Sequence, residues 1–401
     1  MDEREAAAAR RVILSGWVTQ GPEVAAFEEE LAASVGADHA CAVSSCTAAL
    51  HLALRALGAG PGDEVVTASH SYVATANAIR HTGAVPVFAD VDAATFNLDP
   101  ARVEAAITPR TRAVLCVHQM GLPCDLAGVL AVTRPRGVAV VEDAACALGS
   151  QIRLDGGWEA VGRPHGDVAC FSFHPRKVIT TGDGGMLTTR DAALDRAFRR
   201  ARQHGMSIPD TVRHRSPRVL HEAHEELGWN YRMTDVQAAI GREQLRRLPE
   251  ILLRRRRLAA RYAELLADVP GLTLPREPEW ARGNWQSYCV LLPAGCDRDR
   301  LRQRLLDRGI ATRPGIVCSH REPVYAVEPW REGPGGLHAS EDAQDRGLLL
   351  PLFPLLSDDD QARVARELRE ALAPAAAEER GPAAPGRREG AGARSRGAAS
   401  G

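Results

Sequence analysis

The chain has 401 residues, 45% hydrophobic and 25% charged, with a formal net charge of −1 at pH 7. This is the composition of a globular protein with room for one large domain and a smaller one, and its near-neutral balance argues against a nucleic-acid or membrane-surface partner. No run of about 20 apolar residues exists to span a bilayer, and no apolar signal core follows the charged, Ala-rich Met1–Arg11, so a cytoplasmic protein is expected.

Residues 23–36 read as a helix, with Val24, Phe27, Leu31 and Val35 at helical spacing. Cys41–Ser44 is a short buried strand and Thr47–Leu57 a helix stopped by Gly58. Further strands are expected at Glu64–Thr67, Val85–Ala89, Ala113–His118 and Val138–Val141, several followed by helix formers. Such alternation predicts a mostly parallel sheet covered on both faces. The glycines of Gly58–Gly62 follow a helix and precede a strand, the wrong order for a dinucleotide fingerprint. After Asp235 the pattern is helical and Arg-rich through Leu266, with Pro249 starting a new turn. The run Arg254–Arg257 has acidic neighbours and no aromatic platform, so it reads as a solvated or ion-paired helix face. Tyr288–Leu292 as a strand, then helices at 299–308 and 358–372, predict a smaller α+β domain. The end, 374–401, lacks a hydrophobic stripe and is expected to be disordered. Nine cysteines without CxxC spacing, several in apolar runs (Cys41, Cys116, Cys170), read as core residues of a reducing compartment. Thirteen histidines show no metal-ligand spacing, so no metal is assigned.

Of the fifty Lys and Arg residues, one is a lysine, Lys177. Arginine serves wherever charge alone is needed; lysine can lose its proton when desolvated and act as a nucleophile. Its neighbours decide between amine chemistry and a leftover surface residue. Asp143 ends an apolar strand, where α/β sheets place ligand groups, although a helix N-cap would look the same. Ser172 ends the strand before Lys177, a turn at Pro175 brings the lysine round, and Gly182, Gly184 and Gly185 let backbone pass close to something bulky. A lysine and a carboxylate in this setting suit pyridoxal 5'-phosphate: the amine forms a Schiff base and the carboxylate keeps the ring nitrogen protonated. Ser45-Cys46-Thr47, a strand end running into a helix start, offers an anion cradle, or merely a cap. Tyr72, just past a strand, offers a flat ring, though a lone tyrosine is as well explained by core packing.

Taken together, Gly16-Trp17-Val18-Thr19-Gln20-Gly21-Pro22, Ser45-Cys46-Thr47-Ala48-Ala49-Leu50-His51, Glu142-Asp143-Ala144-Ala145, Phe171-Ser172-Phe173-His174-Pro175-Arg176-Lys177 and Gly228-Trp229-Asn230-Tyr231-Arg232-Met233-Thr234-Asp235 resemble the DegT/DnrJ/EryC1/StrS family of sugar aminotransferases. The resemblance runs from about Ile13 to Leu372 and implies a fold type I pyridoxal-phosphate transferase: a large domain with a mostly parallel seven-stranded sheet, then a small α+β domain. Residues 1–22 would form an N-terminal segment contributing to the active site, 23–250 the large domain, 251–373 the small one and 374–401 the tail. It also implies roles. Lys177 is the Schiff-base lysine and proton carrier, and Asp143 pairs with the pyridinium nitrogen. Ser172, Cys46 and Thr47 hold the phosphate, Tyr72 stacks on the ring, and Asn230 reaches the partner's phosphate across a homodimer interface. Thr19, His320 and Arg321 fall where relatives contact the sugar nucleotide. Cys146 departs from the family pattern, standing beside the ring hydroxyl where many relatives carry Gln or His, and the chain begins close to the Gly-Trp motif, without the leading segment of many relatives. The expected activity is ping-pong amino transfer from L-glutamate or L-glutamine to a nucleotide-linked keto-deoxysugar. A dehydratase or a cyclitol aminotransferase of the same family is the alternative, and a non-catalytic regulator the less favoured one because Lys177 and Asp143 are both retained. Arg232 and Arg313 are candidates for the donor carboxylate.

Overall fold

The computed structural model describes residues 1–154, 156–208 and 210–373; the expected disordered tail, 374–401, lies outside them. Five strands come first in the chain: β1 (His39–Val43), β2 (Glu64–Ala68), β3 (Val85–Ala89), β4 (Thr111–Val117) and β5 (Ala139–Asp143). A hairpin follows, β6 (Gln151–Leu154) and β7 (Gly157–Ala160), then β8 (Val168–Ser172) and β9 (Gly185–Thr189). The central sheet has the order β1-β9-β8-β5-β4-β2-β3, closed at one edge by a two-residue strand, β13 (Arg331–Glu332). Only β9 runs against its neighbours; β2, β3, β4, β5 and β8 pair in parallel.

Alternate strand residues feed different cores. Cys41, Val43, Leu115 and Leu187 pack with helix Cys46–Ala56 on one face. Ala40, Ala42, Phe171 and Met186 pack with helices Pro22–Val35 and Asp235–Arg246 on the other. Both faces are therefore dry, which is why these strands read as unbroken apolar runs. Cys41, Cys116 and Cys170 are fully buried, as expected of core residues.

A smaller α+β unit follows. Strands β11 (Tyr288–Leu291), β12 (Arg313–Pro314) and β14 (Gly347–Leu350) form a sheet in the order β11-β14-β12. Helices Leu248–Leu266, Arg298–Asp307 and Asp358–Leu372 cover it, around a core containing Tyr262, Tyr288, Leu301 and Leu368. Pro249 sits in the first turn of its helix, where a missing N–H costs nothing. Of the arginine run, Arg254 and Arg257 form the expected paired face, converging with Arg261 on Asp358, which begins the last helix; Arg255 departs from it, being buried and donating to the carbonyls of Trp285 and Gln286.

Two elements lack an apolar signature. Helix Glu3–Ser15 is Ala-rich and starts with a capping box in which Asp2 and Glu5 satisfy each other's backbone. A third sheet, β10-β6-β7, is completed by β10 (Ala281–Arg282), contributed from far along the chain. No helix among the described residues is long and apolar enough to cross a membrane.

Candidate active site

The parallel strands end on one edge of the sheet, and the chemistry-bearing residues collect there. Asp143 is the last residue of β5, paired in register with Cys170 of β8. Its carboxylate is buried, with Oδ2 accepting from Thr75 Oγ1 at 2.8 Å and Oδ1 from the Ala145 N–H at 3.1 Å. Burial raises the pKa of Asp143, and Thr75, the Ala145 N–H and Lys177 offset only part of that. Thr75 is in turn 2.8 Å from Ser71 Oγ, so the loop after β2 is stitched to the end of β5. Thr75 escaped the sequence reading; its only signal is its place four residues after Ser71, one helical turn on.

The chain leaves β8 at Ser172, turns at Pro175, and closes with a bond from the Lys177 N–H to the His174 carbonyl. This aims Lys177 at the same edge. Its Nζ lies 3.1 Å from Cys146 Sγ, three residues beyond Asp143. Burial disfavours the ammonium, but Cys146, Asp143 and Cys46 outweigh that and hold its pKa above the ordinary value. The departure at Cys146 therefore bears directly on the lysine. Asn284, fully buried and also unforeseen, fixes this loop: its Nδ2 donates to the carbonyls of Cys146 (2.7 Å) and Leu148 (2.9 Å).

The cradle is built from backbone. Ser45 caps helix Cys46–Ala56 by accepting from the Ala48 N–H, leaving the N–H groups of Cys46 and Thr47 directed out of the helix start. Gly185, opposite Ser172 in the β8–β9 ladder, must be glycine: a Cβ there would fall 2.5 Å from the Ser45 carbonyl and 2.6 Å from the Cys46 nitrogen. Cys46 Sγ donates to the Cys170 carbonyl at 3.7 Å, so Cys46, Cys170 and Asp143 are contiguous.

Behind the site, Glu142 is fully buried and accepts from the backbone of His165 and Gly166 while facing His118 Nε2 at 3.1 Å. His118 Nδ1 accepts from the Cys124 N–H, which leaves the ring proton on Nε2, toward the carboxylate. The pair locks β4 to β5 beneath Asp143.

The remaining expected residues are placed differently. Tyr72 is 67% exposed, its ring open to solvent beside the buried Ser71. Asn230 is exposed, and so is Thr19, whose carbonyl accepts from the Asp235 N–H. His320 Nδ1 meets Ser69 Oγ at 2.7 Å in the loop after β2, within reach of the site through that loop. Arg321 is held by Glu341 and Asp345. Of the donor-carboxylate candidates, Arg313 lies near Arg176: burial and then the Arg176 charge both lower its pKa. Among the described residues neither has a carboxylate partner. Nor does any cluster of His, Cys, Asp or Glu suited to a metal occur there.

A buried carboxylate whose charge is costly without a cationic partner, a lysine beside it, and a glycine-enforced anion cradle fit pyridoxal 5'-phosphate at its ring nitrogen, carbonyl carbon and phosphate. Comparison with known proteins agrees. Residues 1–369 match the DegT/DnrJ/EryC1/StrS aminotransferase family. Spore coat polysaccharide biosynthesis protein SpsC of Bacillus subtilis is 41% identical over 363 residues, spanning 89% of this chain and 91% of that protein. The dTDP-4-dehydro-2,3,6-trideoxy-D-glucose 4-aminotransferase of Saccharopolyspora spinosa is 40% identical over 367 residues, 90% of this chain and 92% of its own. The crystal structure of the aminotransferase TlmJ from Streptoalloteichus hindustanus superposes with a TM-score of 0.84 at 40% identity, covering 93% of this chain and 97% of that one. This chain belongs to the DegT/DnrJ/EryC1/StrS aminotransferase family, and it is a pyridoxal-phosphate-dependent aminotransferase.

Proposed function

We propose that this aminotransferase moves the amino group of L-glutamate to the keto group of a nucleotide-linked deoxysugar, as a cytoplasmic homodimer. The observation that carries the reading is the meeting of Lys177, Asp143 and the Ser45–Thr47 helix start at one sheet edge. The nucleotide sugar rests on the name of the Saccharopolyspora relative, and a role in amino-sugar or polysaccharide synthesis on that of the Bacillus protein.

When bound, the cofactor supplies an electron sink for the charge left as a substrate Cα–H bond breaks. The chain does the rest. Lys177 Nζ would anchor the cofactor, and once released would take the proton from the donor carbon and return one to the acceptor carbon. Asp143 would hold the ring nitrogen in its protonated form, kept in place by Thr75 and the Ala145 N–H. The N–H groups of Cys46 and Thr47 with Ser172 would bind the phosphate, and Tyr72 would cover the ring. Arg176 and Arg313, both exposed and without carboxylate partners among the described residues, would attract the carboxylates of the donor. Thr19, His320 and Arg321 are assigned to the sugar-nucleotide side, and Asn230 to the partner's phosphate.

The test supplies the cofactor-loaded protein with L-glutamate and a dTDP-linked 4-keto-6-deoxysugar and follows 2-oxoglutarate and the amino sugar by mass spectrometry. Stoichiometric appearance of both is expected, with no turnover by Lys177→Arg. Release of 2-oxoglutarate without any aminated sugar would move the acceptor to another class, such as a keto-cyclitol.

A further inference from the structure

The chain's one lysine touches a thiol. Lys177 Nζ and Cys146 Sγ are 3.1 Å apart, Cys146 in the turn after β5 and Lys177 in the turn after β8. A single segment clamps both turns. Asn284 Nδ2 donates to the Cys146 carbonyl (2.7 Å), Gln286 Nε2 to the Arg176 carbonyl (2.7 Å), and the Gln286 N–H to Asn284 Oδ1 (2.8 Å). Backbone placement, set from one common support, thus brings an amine and a thiol together.

Exposure singles out the same pair. Of the nine cysteines, Cys146 and Cys296 are partly exposed and the others are buried. Lys177 is half-buried, so both members of the contact keep an opening to solvent wide enough for a small oxidant. The Cys46 thiol, at the nearby helix start, is engaged with the Cys170 carbonyl instead. Cys296 has no lysine to meet, since the chain holds no second one, and it serves as an internal control.

A thiol oxidised to sulfenic acid carries an electrophilic sulfur that condenses with a neighbouring thiol or nitrogen. We propose that Cys146 and Lys177 form a modification site of the cofactor-free chain, where hydrogen peroxide oxidises the thiol and the lysine amine captures it as a sulfenamide. Peroxide takes two electrons from the sulfur, leaving Cys146–SOH and one water. The lone pair of neutral Nζ then attacks that sulfur: an S–N bond forms, the S–O bond breaks, and hydroxide leaves with an amine proton as a second water. Sulfur alone is oxidised, and one peroxide is reduced. A small thiol reverses the cross-link by attacking the sulfur and freeing the amine, and a second thiol releases Cys146. While the cross-link stands, Lys177 is closed to the cofactor. This last consequence rests on the reading of Lys177 as the cofactor's anchor.

The test exploits the single lysine. Cofactor-free protein is treated with hydrogen peroxide, unfolded, capped at its free thiols, and digested with a protease that cuts only after lysine, hence once in the unmodified chain. Loss of that cut is expected, with a joined Cys146–Lys177 peptide pair by mass spectrometry and a matching loss of pyridoxal 5'-phosphate uptake. Dithiothreitol should restore both the cut and the uptake. Cys146→Ser should keep the cut under peroxide, and Cys296→Ser should lose it as the parent does. A cut that survives in the parent would overturn the proposal, as would Cys146 recovered as sulfinic acid or in a disulfide with the lysine free. Should Cys146→Ser not fold, the peptide pair in the parent decides. Loaded protein should resist the reaction. Equal cross-linking with and without cofactor would overturn that protection and the reading of Lys177 as the anchor, while the cross-link itself stood.

Discussion

At the scale of single residues, the lysine proposed to take the cofactor is paired with Cys146. Burial pulls the lysine pKa down and Cys146, with Asp143 and Cys46, pushes it up further. Removing the thiol leaves burial less opposed, so the neutral amine becomes more abundant at a given pH. Cys146→Ala is therefore expected to load pyridoxal phosphate faster at pH 8 than the parent does. Stopped-flow absorbance reads the rate on a single lysine, and an unchanged rate would show that the thiol is not its controlling neighbour. Asp143 gives a second expectation. Its folded pKa is raised above the ordinary 3.8 by burial, so in the cofactor-free chain its contribution to stability is greatest below the unfolded pKa and is lost as pH rises through the folded one. With a protonated ring nitrogen beside it the ionised form is the favoured one. The melting-temperature gap between loaded and cofactor-free protein should thus widen as pH climbs through a window above 3.8, and Asp143→Asn should flatten that dependence. Lys177 was legible because it is unique and Asp143 because an apolar strand precedes it. Thr75 and Asn284 were not: each acts through hydrogen bonds to residues far away in the chain, which sequence spacing does not encode.

At the scale of elements, the strands of the central sheet could be read because burial on both faces makes them continuous apolar runs. Helix Glu3–Ser15 could not, since its inner face is Ala8, Val12 and a buried Glu5 that meets Gln244 and Arg247 instead of a hydrophobic stripe. The sheet holding β10 was equally hidden, because its strands are two to four residues long and the partner segment lies more than a hundred residues away. Asp235 shows what such distant contacts supply. It begins helix Asp235–Arg246, and its carboxylate accepts from the N–H groups of Gly21 (2.7 Å), Val24 (3.0 Å) and Glu23 (3.2 Å) at the start of helix Pro22–Val35. One side chain thus ties the Gly-Trp segment to the Met-Thr-Asp segment, two stretches that sequence reading connects only by resemblance. Asp235→Ala strands three donors at a helix N-terminus and is expected to cost about 2–3 kcal/mol in urea unfolding. Asp235→Asn, which keeps an acceptor, should recover part of it. A loss confined to a few tenths would mean that water replaces the carboxylate without penalty.

At the scale of the whole molecule, the isolated chain leaves part of its own machinery facing outward. Trp229 and Tyr231 stack on each other (6.1 Å, 15°) and lie against His51 at 4.7 and 5.9 Å, while their backbones bond to Ala201, Arg202 and Ser44. In extended chain, successive side chains point to opposite sides. With the two rings turned inward, the Asn230 side chain is directed away from its own core, and it is exposed. Tyr72 (67% exposed), Leu227 (78%) and Val219 (85%) are also uncovered, a poor arrangement for a monomer in water. A second copy would cover such residues and bring Asn230 to a neighbouring phosphate cradle, so each site would take Lys177 from one chain and Asn230 from the other. Subunit mixing tests this directly. Lys177→Ala and Asn230→Ala are each expected to be inactive or strongly impaired as pure proteins. After denaturation together and refolding, half the dimers should be hybrids with one intact site of two, restoring about a quarter of parental activity. If Lys177 and Asn230 served the same chain's site, the mixture would be no more active than its components, and the dimer would have no catalytic role.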